Sequence, residues 1–251
     1  MPAPARTHIA LRAAIARLAK FYGPPPRPPA TDPFELVIWE NCAYLVDDAR
    51  RAAVFRRLRR DVGLEPAPIL AKPLPALADI IAQGGMLRLR RAEKLHTAAE
   101  IALDIGPAEL RRAVQRSPVE AQKLLRRFPG IGEPSADKIL LFCRAQRTLG
   151  PDSNALRVLV RLGFGKESDN YQRTYRSAAE AVAPDLPADF ASMSTGRCGS
   201  LAFLGWMPAS MGILTVFASA FEGFTRTLSR KENVPGSIWL IGVAAWGAFS
   251  L

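Results

Sequence analysis

Leu124-Leu-Arg-Arg-Phe-Pro-Gly-Ile-Gly-Glu-Pro-Ser-Ala-Asp-Lys-Ile-Leu-Leu-Phe142 is the stretch on which the fold turns. Gly130 and Gly132 bracket Ile131 between two helical patterns, so the chain can reverse sharply and approach a ligand with no side chain in the way. Pro134 stands where a first helical turn would begin, a position at which its missing N–H is no loss. Ser135 and Ala136 are small enough for one helix to lie close against another. Backbone N–H groups in the hairpin and at the start of the second helix are left facing outward, and such a nest binds an anion such as a phosphate oxygen without reading sequence. A Gly-x-Gly alone is an ordinary turn between helices; the full Phe-Pro-Gly-Ile-Gly-x-x-Ser-Ala string is far more specific.

Outward from this hairpin the chain reads as consecutive helices. Apolar periodicity and Gly or Pro breaks predict helices over 32–46, 47–62, 74–83, 88–103, 107–114 and 117–127. The first is almost wholly apolar and belongs in the core. The second sets Ala49, Ala53 and Leu58 against Arg50, Arg51, Arg56, Arg57, Arg59 and Arg60, one buried face and one cationic. No stretch between Pro29 and Pro187 alternates with period two, so the expected class is all-α with short connections, arranged as two helical lobes. The proline-rich joint 23–29 separates a leading basic amphipathic helix from this body, and that helix lacks the continuous apolar core of a secretory signal. Three segments follow: 1–29, 30–192 and an atypical apolar 193–251. The last carries few charges and two long apolar stretches. It reads as a divergent or frameshifted segment, or as a membrane-associated hairpin, although its final stretch is short for a span of roughly 20 residues.

The 251 residues carry 34 Lys and Arg against 23 Asp and Glu, a net charge of +11, which suits nucleic acid or an acidic membrane surface. With 49% hydrophobic residues the chain can build a sizeable core, which excludes a disordered tail protein. Its three cysteines, Cys42, Cys143 and Cys198, are far apart in sequence. They give no metal-binding spacing and suit a reducing cytoplasm.

Eighteen residues after Gly132 comes Gly150-Pro-Asp-Ser-Asn-Ala-Leu-Arg-Val158. The hairpin string and this segment together resemble the helix-hairpin-helix DNA glycosylases of the endonuclease III superfamily, over about residues 30–190. The resemblance implies that Asp152 is the aspartate that family places at a helix start. The chemistry suits it, because cleaving a glycosidic bond builds positive charge on the sugar and an ionised carboxylate stabilises it. An N-cap position favours the ionised form. By itself an Asp before a helix is an ordinary cap. The resemblance further implies DNA contacts from Gly130, Ile131, Gly132, Ser135, Ser153, Asn154 and Arg157.

Two departures from the family's pattern bear on mechanism. Bifunctional members carry a lysine two residues after the second hairpin glycine, and here that residue is Pro134, which has no nucleophile. Lys138, one turn on, reads as a solvated surface lysine. The family's four-cysteine iron–sulfur loop is missing, so no cofactor and no metal is expected. What is implied is a monofunctional glycosylase, acting as a monomer on double-stranded DNA with a damaged or mispaired base; the alternative is a non-catalytic helix-hairpin-helix DNA-binding protein.

Glu40 falls near the acid that protonates the base in the adenine glycosylase branch. Apolar surroundings would favour its protonated form, whereas a salt bridge to an arginine is an equally ready reading. Tyr44 would stack on an extruded base or wedge into the gap it leaves, or else pack in the core. The cationic faces, Arg56, Arg57, Arg59 and Arg60 with Arg88, Arg90, Arg91 and Lys94, would supply phosphate contacts.

Overall fold

The computed structural model describes Leu11, Lys20 and residues 28–186. The expectations for the leading helix, the proline joint and the 193–251 segment lie outside these residues. Ten α-helices occupy 28–186, and no strand occurs among the described residues beyond an isolated bridge between Tyr44 and Gly85.

Helix α1, Pro33–Asn41, is the axis of the fold. Asp32 caps it, accepting from the Phe34 and Glu35 N–H groups at 2.9 and 3.1 Å. Phe34, Leu36, Val37, Ile38 and Trp39 are all buried, as an apolar helix without a polar face must be. It packs against α5, α6 and α8. The sequence predicts this helix to Val46, but it stops at Asn41. The Asn41 side chain donates to the Val37 carbonyl at 3.0 Å, and the Cys42 carbonyl is captured by Arg91 at 2.6 Å, so the chain leaves the helical path.

Helix α2, Asp48–Asp61, buries Val54, Phe55 and Leu58 and turns Arg50, Arg56, Arg59 and Arg60 outward, while Arg51 is half-buried. A short helix that the sequence reading missed, α3 (Pro66–Ala71), and α4 (Leu74–Ile80) both pack on α5, Arg88–Ile105. Ala92, Leu95, Ala98, Ala99 and Ala102 form the buried stripe of α5, and their small side chains let these helices approach closely. Helices α6 (Pro107–Arg116) and α7 (Pro118–Leu125) lead to the hairpin, α8 (Glu133–Phe142) follows it, and α9 (Ser153–Arg161) and α10 (Tyr171–Val182) complete the chain of helices. The main core runs through α1 to α8 and takes in Leu159 of α9 and Val182 of α10, and a smaller cluster of Leu156, Tyr175 and Ala178 joins α9 to α10.

Candidate active site and nucleic-acid interface

Gly130 takes φ +74°, the left-handed conformation that glycine adopts without strain, and a Cβ there would stand 2.9 Å from Asn41 Oδ1 and 3.6 Å from Lys94 Nζ. The hairpin therefore lies against the end of α1 with a cation beside it. Gly132 begins α8 and no side chain caps that helix, so its first N–H groups remain open to an anion. Glu133, in the same turn, would repel one. Arg176 of α10 forks it at 2.9 to 3.3 Å and neutralises that charge. The Ile131 side chain is buried and its N–H bonds the Phe128 carbonyl at 3.3 Å, so it holds the turn in the core.

Asp152 caps α9 as expected, with Oδ1 accepting from the Asn154 and Ala155 N–H groups at 3.0 and 2.8 Å. The loop before it is pressed onto α8. A Cβ on Gly150 would meet the Lys138 backbone nitrogen at 2.6 Å and the Pro134 carbonyl oxygen at 2.8 Å, so only glycine permits the approach. In this way the helix that leaves the hairpin carries the acid on its flank. Ser153 and Arg157 are exposed on α9, and Asn154 is half-buried.

Lys138 is not the solvated lysine that its place in the sequence suggests. Its Nζ pairs with Glu40 Oε1 at 2.8 Å, and the two side chains keep only 14% and 13% of their exposure. Glu40 is thus paired with a lysine rather than an arginine. Ser135 also turns inward, its hydroxyl 3.5 Å from Glu40 Oε2. Asp48, at the start of α2, is half-buried. Burial raises its pKa, and it senses Arg51, Asp47, Lys138 and Asp152 in that order. Tyr171, at the start of α10, has its phenol pushed up by burial and by the Asp152 carboxylate. Glu40, Asp48, Lys138, Asp152 and Tyr171 thus form one electrostatic neighbourhood drawn from five helices. Asp48 and Tyr171 carry no signal in the sequence, because only the tertiary fold brings them to Asp152.

Tyr44 is exposed rather than packed in the core, and it belongs to an apolar tip. Leu45, Met86 and Leu87 are exposed beside it, and Leu45 and Leu87 hold left-handed backbones that non-glycine residues seldom adopt. Arg91 is what fixes the two loops. Its buried guanidinium donates to the Cys42, Ile81, Gly85 and Met86 carbonyls at 2.6 to 2.9 Å. Arg91 is therefore an internal brace and not one of the phosphate-facing cations.

Solved structures match this fold. The chain superposes on a trapped endonuclease III–DNA covalent intermediate, an estranged-adenine complex, with TM-score 0.56 and 21% identity over 77% of this chain and 83% of that one. It superposes on a non-covalent endonuclease III–DNA complex with TM-score 0.57 and 19% identity, over the same shares. No protein-family model and no curated protein matches the sequence. The fold is the endonuclease III-like helix-hairpin-helix fold.

Proposed function

We propose that this chain is a DNA glycosylase that extrudes a damaged or mispaired base from double-stranded DNA and hydrolyses its N-glycosidic bond. The observation that carries the reading is the seating of Gly150 on Pro134 and Lys138, which ties Asp152 to the helix leaving the anion-binding hairpin. A phosphate held at the α8 N-terminus, with Lys94 alongside, would place a deoxyribose next to the Asp152 carboxylate. Asp152 then stabilises the oxocarbenium-like sugar and orients the attacking water. The apolar tip of Tyr44, Leu45, Met86 and Leu87 is suited to fill the space an extruded base vacates, and such unstacking is cheapest at a lesion or mismatch. The two solved neighbours are both DNA complexes, which supports the choice of partner.

The proposed chemistry is monofunctional and cofactor-free. Pro134 has no amine, and Lys138 Nζ is engaged by Glu40 Oε1 at 2.8 Å, a pairing that opposes its use as a nucleophile. A four-thiolate cluster does not fit the three cysteines of this chain. Burial pushes the Cys42 and Cys143 thiols up to about 12, the reverse of what a thiolate ligand needs. Glu40 and Ser135 would pass protons within the site. A cytoplasmic monomer working at the nucleoid completes the proposal.

The test is incubation with duplexes bearing uracil, oxidised pyrimidines, alkylated purines or A·8-oxoguanine mispairs, followed by alkali. Strand breaks that appear only after alkali support the reading. Tight duplex binding with no breaks on any duplex would assign the chain to non-catalytic DNA binding.

A further inference from the structure

Two aromatic side chains are exposed among the described residues, Tyr44 on the apolar tip and Tyr171. Tyr171 is the first residue of α10, where the Asn170 side chain caps the helix by accepting from the Gln172 and Arg173 N–H groups at 2.9 and 3.2 Å. Its ring is 45% exposed but not loose: it stacks on the ring of Tyr175, one turn along, with centroids 6.5 Å apart and planes inclined by 23°. Tyr175 is buried and locked in turn. Its hydroxyl donates to Asp137 Oδ2 on α8 at 2.6 Å and lies 3.3 Å from the Leu149 carbonyl oxygen, just before the Gly150 seat. The next residue, Arg176, holds Glu133 beside the anion-binding turn. Helix α10 is thus fastened both to the hairpin helix and to the loop that leads into Asp152, and the Tyr171 phenol lies in the field of the Asp152 carboxylate. An aromatic face left in water forgoes the stabilisation that burial would supply, and fixing it costs side-chain freedom. A ring set rigidly in advance is suited to a binding contact, because little freedom remains to be lost on docking.

We propose that Tyr171 is a sugar-contacting residue: the open face of its ring packs against the deoxyribose of the target nucleotide and holds that sugar against the Asp152 carboxylate. This rests on the glycosylase reading and adds to it a residue for which the sequence gives no signal. One face of the ring is already taken by Tyr175, so a single face is offered to a ligand. The sugar is the part of the nucleotide that the reading sets beside Asp152, and its C–H groups pack on an aromatic face without needing hydrogen-bond partners. A phosphate is disfavoured at the same place by the charge of Asp152. Burial and the neighbouring carboxylate both keep the phenol in its neutral form, so the contact adds no second negative charge beside the DNA strand. Because the contact is with the sugar, it contributes equally whichever base is attached, and it persists when no base is present.

The test measures binding of two matched duplexes, one undamaged and one carrying a tetrahydrofuran abasic-site analogue, which has the sugar ring but neither a base nor a bond to cut. The unsubstituted protein should prefer the analogue. Tyr171→Ala should weaken binding of the analogue about 10-fold and leave the undamaged duplex unaffected, the loss expected for one apolar contact. Tyr171→Leu, which keeps apolar cover over Tyr175 but has no flat face, should lose nearly as much, and it serves in place of Tyr171→Ala if that variant fails to fold. Tyr171→Phe keeps the ring and should bind within about 2-fold of the unsubstituted protein. Single-turnover excision by Tyr171→Leu should fall by a similar factor on every base that the unsubstituted protein removes. Equal weakening on both duplexes, a loss in Tyr171→Phe as large as in Tyr171→Leu, or slowing that depends on the base would overturn the assignment of Tyr171 and leave the glycosylase reading standing. An unsubstituted protein that neither prefers the analogue nor excises any base would overturn both.

Discussion

Lys138 Nζ lies 2.8 Å from Glu40 Oε1, joining the helix after the hairpin to the central helix of the fold through a pair that is almost fully withdrawn from solvent. Removing one member of such a pair strands the other's charge in a poorly solvated place. Lys138→Met should therefore lower stability by about 3 kcal/mol in urea unfolding. Adding Glu40→Gln should recover most of that loss, a non-additivity that an exposed lysine would not show.

Asp137, one residue earlier, sets a pH dependence. Its carboxylate accepts from Tyr175 Oη at 2.6 Å and Gln122 Nε2 at 2.7 Å, linking α8 to α10 and α7. Burial raises its pKa despite these two bonds, with Glu133 adding in the same direction. The folded-state value lies above the unfolded one, so this group's contribution is fully present below about pH 4 and is lost as pH rises through the folded value. Asp137→Asn should flatten that decline in a series of thermal melts. Asp137→Ala should destabilise at every pH by about 1–3 kcal/mol, because it leaves the bonded groups short of a partner.

The left-handed Leu45 and Leu87 depend on Arg91. Arg91→Lys keeps the charge but cannot reach four diverging carbonyls. It should lower stability by about 2–4 kcal/mol and raise amide exchange across 42–46 and 84–87, with little change on α9.

Gly150→Ala sets a methyl group against the α8 backbone rather than against a movable side chain. The loop must lift, taking Asp152 with it. Excision should fall by about 100-fold while melting changes by only a few degrees, since a misplacement of about 1 Å is enough to disrupt catalytic geometry.

The hairpin and the all-helical class were legible in the sequence because both rest on local rules: glycines where the backbone must turn, and a 3.6-residue period where a face must be buried. The Asp152 cap was legible for the same reason. The misreadings share a different origin. Helix α1 ends at Asn41 because Arg91, about fifty residues on, takes the carbonyl of Cys42, and no local pattern announces it. Lys138 was read as a surface lysine because its spacing puts it on an amphipathic helix, and the partner that withdraws it from water lies 98 residues earlier. Asp48 and Tyr171 are silent, since a polar residue in the first turn of a helix is ordinary until tertiary packing sets it beside another charge.

Asp152→Asn puts the central claim to its most direct test. Asparagine keeps the oxygen that accepts from the Asn154 and Ala155 N–H groups, so the α9 cap, the fold and duplex affinity should all persist. Only the negative charge beside the sugar is removed. The account predicts single-turnover excision slowed at least about 100-fold on a lesion the unsubstituted protein processes, with unchanged binding of the same duplex. Excision at the original rate by a folded Asp152→Asn protein would contradict it.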